Sequence, residues 1–122
     1  MRIDWNKIPA APGMRPGAPR QAVAGERMSV VRVQTTPDAE FDGSLHRHAH
    51  EQMLVMVKGQ LKLSIDGEVF TAHSGDLVFF PSGCFHGAIG VGPNGATYYE
   101  IFSPPRYDLL PGYIGANPLE FK

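Results

Sequence analysis

Between Leu61 and Phe70 the chain reads Leu-Lys-Leu-Ser-Ile-Asp-Gly-Glu-Val-Phe. Leu61, Leu63 and Ile65 alternate with Lys62 and Ser64, the period-two signature of a strand with one wet face. Asp66-Gly67 follows at once. An Asp-Gly pair between two such runs predicts a two-residue hairpin, because both central positions need φ > 0. A lone hairpin is not stable in water, so the chain must supply more strands. Met28 to Val33, Glu51 to Val57, Asp76 to Phe80 and Ala96 to Phe102 qualify, and Pro37-Asp38 and Lys58-Gly59 turn the chain between them. With 14 glycines and 11 prolines in 122 residues, many turns and few long helices are expected. Short strands at intervals of roughly eight to twelve residues predict one all-β domain, a sandwich or a closed barrel.

The ends read differently. Pro9, Pro12, Pro16 and Pro19 stand among Gly13 and Gly17; the prolines fix φ and remove donors, which excludes a helix or a central strand there. Residues 1–26 are therefore read as an extended arm, either a loose tail or a segment lying along another subunit. The barrel is expected over 27–103. Residues 104–122 form a proline-broken tail with one short helical turn near Tyr107 to Leu110, packing on the barrel or on a partner. Arms of this length, and edge strands that need covering, predict a homodimer.

Eleven Lys+Arg against twelve Asp+Glu give a net charge of -1, without the basic excess of a nucleic-acid-binding surface. The single cysteine, Cys84, excludes an internal disulfide and a Cys-rich zinc site. It is read as a small buried thiol rather than a nucleophile. No apolar run reaches the ~18 residues of a membrane span, and the first residues lack an apolar signal segment, so a cytoplasmic location is expected.

The chemistry concentrates in His46-Arg47-His48-Ala49-His50-Glu51-Gln52. On a regular strand, positions 46, 48, 50 and 52 share one face. Neutral imidazoles two residues apart can bind one metal ion, and His86 is the distant residue that closes the shell. The bland alternative is a polar surface strand. Three of the chain's five histidines within five residues, followed by an apolar strand, favour the metal site by about 2:1.

His46-x-His48 followed by Gln52 and Gly59 resembles the first cupin motif. Gly75-x5-Pro81-x-Gly83-x2-His86 resembles the second. Glu40 stands where the first usually opens with Gly, and Gly90 where the second often closes with Asn. The resemblance implies a double-stranded β-helix, or jelly roll. It also implies one divalent ion held by His46, His48, Gln52 and His86, with Zn, Ni, Mn, Co and Fe all compatible. Gln52 fills a position that is Glu in most metal cupins. Its neutral amide leaves the ion's charge uncompensated and favours an anionic ligand. His50 falls outside the motif and is expected at the pocket rim or turned outward. His73 reads as a solvated turn residue.

The segment Glu100-x-Phe102-Ser103-Pro104-Pro105-Arg106-x-Asp108 resembles a signature of the pectin-degradation, KdgF-like cupins, with Glu100 in place of Asp. That resemblance implies opening of 4,5-unsaturated uronates to a linear ketone. In it Glu100 moves the proton, Arg106 binds the substrate carboxylate and Phe102 shapes the pocket. The bland reading of this segment is a surface ion pair between Glu100 and Arg106. For the whole chain, a metal-dependent isomerase-like enzyme for a small anionic sugar acid leads. A non-catalytic metal- and small-molecule-binding sensor or storage cupin, or an oxygen-using dioxygenase, are the alternatives.

Overall fold

The computed structural model describes residues 1–122 and is built of strands, with two single 3₁₀ turns at Trp5–Lys7 and Tyr107–Leu109. The strands are β1 (Arg20–Ala24), β2 (Ser29–Thr35), β3 (His46–Arg47), β4 (Glu51–Ile65), β5 (Glu68–His73), β6 (Leu77–Phe80), β7 (His86–Ser103) and β8 (Glu120–Phe121). All pairings are antiparallel. No helix is long and apolar enough to cross a membrane.

Two long strands organise the rest. The second half of β7 pairs with β2 on one edge and with the first half of β4 on the other; β1 and β6 extend that layer. The first half of β7 pairs with the second half of β4 and with β3, and β5 and β8 complete the opposite layer. This is a jelly roll, with β4 and β7 serving both sheets.

The crossing from one layer to the other occurs at Gly59, where the register between β4 and β7 slips. Gly59 has φ +81°, and a Cβ there would lie 2.0 Å from the carbonyl oxygen of Gly95, so only glycine fits. The slip also resets the alternation. Gln52, Leu54 and Met56 face inward before it, Leu61 and Leu63 after it. The two strands expected at 51–57 and 61–65 are thus one bent strand. Asp66 and Gly67 close the β4–β5 hairpin with φ +46° and +86°, as the Asp-Gly pair requires.

The core is a single cluster that includes Val31, Val33, Leu54, Met56, Leu61, Leu63, Phe80, Tyr98 and Phe102. Burying each of the larger side chains is worth about 1.5–3 kcal/mol.

The arm is more than an extended tail. Its last residues form β1, and Ala11 bridges back to Arg20 through two backbone bonds of 2.8 and 2.9 Å. Trp5 stacks on Tyr99 of the same chain at 5.9 Å, and Gln21 Nε2 donates to the Trp5 and Ile8 carbonyls. At the other end the tail makes its short turn at Tyr107–Leu109 and returns as β8 beside β3.

Candidate metal centre

β3 runs for only two residues, and the chain bends at Ala49 and His50 before β4 begins. That bend breaks the regular face expected across 46 to 52. His46, His48 and Gln52 are buried, whereas His50 is half-buried. His86 opens β7 directly opposite His46. One nitrogen from each of His46, His48 and His86 lies within 4.8 Å of the others, close enough for all three to hold one ion. His50 is not in this group; its carbonyl lies 3.1 Å from His48 Nδ1. His73 is exposed, with its backbone N–H on Asp76.

The hydrogen bonds show whether a cation suits this cluster. His86 Nδ1 lies 3.0 Å from the Cys84 carbonyl. A carbonyl only accepts, so Nδ1 carries the proton and Nε2 the lone pair; that Nε2 is buried without a partner, as is His46 Nδ1. His48 stands between two acceptors, the His50 carbonyl and Gln52 Oε1, each at 3.1 Å. The Gln52 amide is oriented by Glu100, whose carboxylate accepts from Gln52 Nε2. A neutral imidazole has one N–H for these two acceptors, so one pair of lone pairs is left face to face. A divalent ion held by one nitrogen each of His46, His48 and His86 together with Gln52 Oε1 would remove that conflict, and the residues fit it.

Electrostatics agree. Burial, with repulsion from the neighbouring histidines, pushes His46 down to about 3 and His48 down to about 4. Burial also lowers His86. All three are neutral at pH 7, the form that ligates.

A cavity adjoins the cluster, lined by His46, Gln52, His86, Glu100, Phe102 and Arg106 together with apolar residues of both sheets. Tyr98, Glu100 and Phe102 alternate inward along β7. Glu100 keeps some accessible surface because it lines the cavity, yet it sits deep in the protein, and burial raises its pKa despite nearby arginines. Phe102 lies 5.9 Å from the His48 ring, and the Arg106 guanidinium lies over Phe102 at 5.1 Å. The expected alternative of a Glu100–Arg106 ion pair is not formed. Arg106 pairs with Asp108, Nη2 at 2.7 Å and Nε at 3.3 Å, because the 3₁₀ turn brings residue 108 back beside 106. Cys84 is buried with its thiol pKa raised, so it is not an activated nucleophile.

Sequence reasoning missed two participants. Asp108 belongs to the motif but had no assigned partner, and Arg20 lies in an arm that read as peripheral. Nothing local in the sequence places Arg20 in the cavity; only the β1–β2 pairing does.

The Cupin domain family matches residues 32–102, more than half of the chain. The chain is a cupin. Its fold superposes on an RmlC-like cupin from Shewanella frigidimarina with a TM-score of 0.76 and 27% identity, over 88% of this chain and 94% of that one. The structure of KdgF from Halomonas sp. matches with a TM-score of 0.73 and 24% identity, over 86% and 94%. Oxalate decarboxylase from Bacillus subtilis matches with a TM-score of 0.66 and 22% identity, over 84% of this chain and 29% of that one. No curated protein matches in sequence. The cupin then has a buried three-histidine cluster able to hold a metal ion, with a carboxylate and a guanidinium beside it.

Proposed function

We propose that this cupin is a metal-dependent isomerase that opens the ring of a small unsaturated uronate and ketonises it. The observation that supports the reading most directly is the Gln52–Glu100 contact, which sets a deeply placed carboxylate against the metal position. In this reading His46, His48, Gln52 and His86 would hold one divalent ion, which would supply Lewis-acid stabilisation of developing negative charge on a substrate oxygen.

The remaining work falls to the chain's own side chains. Opening requires loss of the C1 hydroxyl proton and gain of a proton at C4, with the C1–O bond breaking as the C1 carbonyl forms. The ring oxygen becomes the C5 ketone, so the reaction is an isomerisation with no net proton change. Glu100 carries the proton between these positions, and its burial favours holding it. Arg106 faces the substrate carboxylate with the N–H groups that Asp108 leaves free. Phe102 forms the wall between them.

Glu100→Gln tests the reading. An enzyme of this kind loses turnover by about 10²–10⁴ while still binding saturated galacturonate. A pure binding protein shows no turnover in the parent and unchanged affinity in the variant.

The partner is proposed to be a second copy of this chain. Met53, Val57, Leu77 and Phe79 are exposed on the outer face of β4 and β6, with Val55 and Ile101 between and beside them. None of these is charged, and burying them against a second copy across a two-fold axis would remove apolar surface from water.

A further inference from the structure

Arg20 and Arg15 are the charged side chains of the cavity with no role in the reading above, and Arg20 is the one without a side-chain partner. It lines the inner cavity with Gln52, Glu100 and Arg106. With Arg106, Met14 and Leu109 it also lines an outer pocket walled by the C-terminal tail. The two guanidiniums therefore stand where the cavity opens outward. Arg20 Nε is buried without a hydrogen-bond partner, and the chain's three ion pairs leave Arg20 out. The other cations nearby are already partly engaged. Arg106 grips Asp108, and Arg15 stacks on Phe41 at 4.4 Å while donating to the Ala88 carbonyl.

Placement of Arg20 is built rather than incidental. It opens β1, and Ala11 fastens its backbone on both N–H and C=O. The intervening loop doubles back tightly enough that a Cβ on Gly13 would lie 1.9 Å from the Ala18 carbonyl oxygen. A buried N–H with no acceptor is costly, and burial, followed by the Arg106 charge, lowers the Arg20 pKa against the opposing pull of Glu100 and Asp108. An anion placed between the two guanidiniums relieves both penalties at once.

We propose that Arg20 and Arg106 jointly clamp the carboxylate of the ligand, Arg20 through the bidentate Nε/Nη edge that the fold leaves unpaired. The N-terminal arm is thereby part of the binding site and selects an acid over its neutral analogue. This rests on the reading above for where the ligand sits, and it adds the residue that recognises its charge.

Calorimetric titration of the zinc-loaded protein with D-galacturonate, malonate and neutral D-galactose tests the proposal. The expected result is that carboxylates bind the parent and bind Arg20→Gln roughly tenfold or more weakly, with zinc content unchanged. Arg20→Lys, which keeps the charge and loses the fork, falls between; it carries the test if Arg20→Gln does not fold. Galactose gives the same response in every protein. Malonate binding that depends on Arg20, without any galacturonate binding, supports the clamp and removes the uronate reading. Equal carboxylate affinity in parent and variants, or no carboxylate binding by the parent, overturns the clamp.

Discussion

Gln52 donates its amide N–H to Glu100 across the β4–β7 ladder while its Oε1 faces His48. One neutral side chain thereby joins the ligand set to the carboxylate proposed to move the proton. An ionised carboxylate at 52 would ligate a metal more strongly but could not donate to Glu100. Gln52→Glu is expected to bind metal more tightly and to turn over about 10–100-fold more slowly, because two carboxylates then compete for one proton. A metal-competition titration run beside the rate assay checks both halves.

Glu100 itself costs stability. Its folded pKa is raised by burial above the ordinary 4.5, so above that pH the folded state holds a proton that the unfolded chain releases. Stability from this group is therefore lost as the pH rises through the folded pKa. Glu100→Gln keeps the shape and the contact with Gln52 without the charge. The metal-free variant is expected to melt a few degrees above the parent at pH 7, read by circular dichroism; a lower midpoint contradicts this account of the site.

The histidines act with the opposite sign. With His46 down to about 3 and His48 down to about 4, the unfolded chain binds more protons than the folded one between those values and 6.5. Their contribution is complete above pH 6.5 and is lost as the pH falls toward 4, by up to about 1.4 kcal/mol per pH unit for each group. Denaturant titrations of the metal-free protein from pH 7.5 to 4.5 should show a falling midpoint. Replacing His48 with Gln should flatten the slope.

The outer sheet face predicts an assembly. Phe79 is 46% exposed and Leu77 63% exposed on the outer face of the edge strand β6, beside exposed Met53 and Val57 of β4, an apolar patch that water covers poorly. Light scattering should find a dimer for the parent. Phe79→Asp places like charges near the two-fold and should yield a folded monomer; a monomeric parent contradicts the proposed interface.

Much of the fold can be read from short-range pattern. The Asp66-Gly67 turn and the alternation around it are local properties, and the structure places them accordingly; His86 is far along the chain, and the motif resemblance is what joins it and Gln52 to His46 and His48. What escapes is whatever depends on bending or on distance along the chain. A glycine at 59 reads as the end of a strand, yet it bends one strand between two sheets. Residues 86–95 are too rich in glycine to show alternation, so the first half of β7 is invisible until it pairs with β4. Arg20-Gln21-Ala22-Val23-Ala24 carries little apolar pattern after four prolines, and β1 exists because Val30 to Val33 offer it an edge. The Arg106–Asp108 pair depends on one turn of 3₁₀ geometry that a proline-broken tail does not announce.

The central claim is metal-dependent opening of an unsaturated uronate. Its most direct test is a proton NMR time course with 4,5-unsaturated galacturonate, run on metal-loaded protein and again after chelation. The account predicts accelerated loss of the vinyl proton signal, abolished by chelation and restored when metal is returned. A vinyl signal that decays no faster with fully loaded protein than in buffer contradicts it.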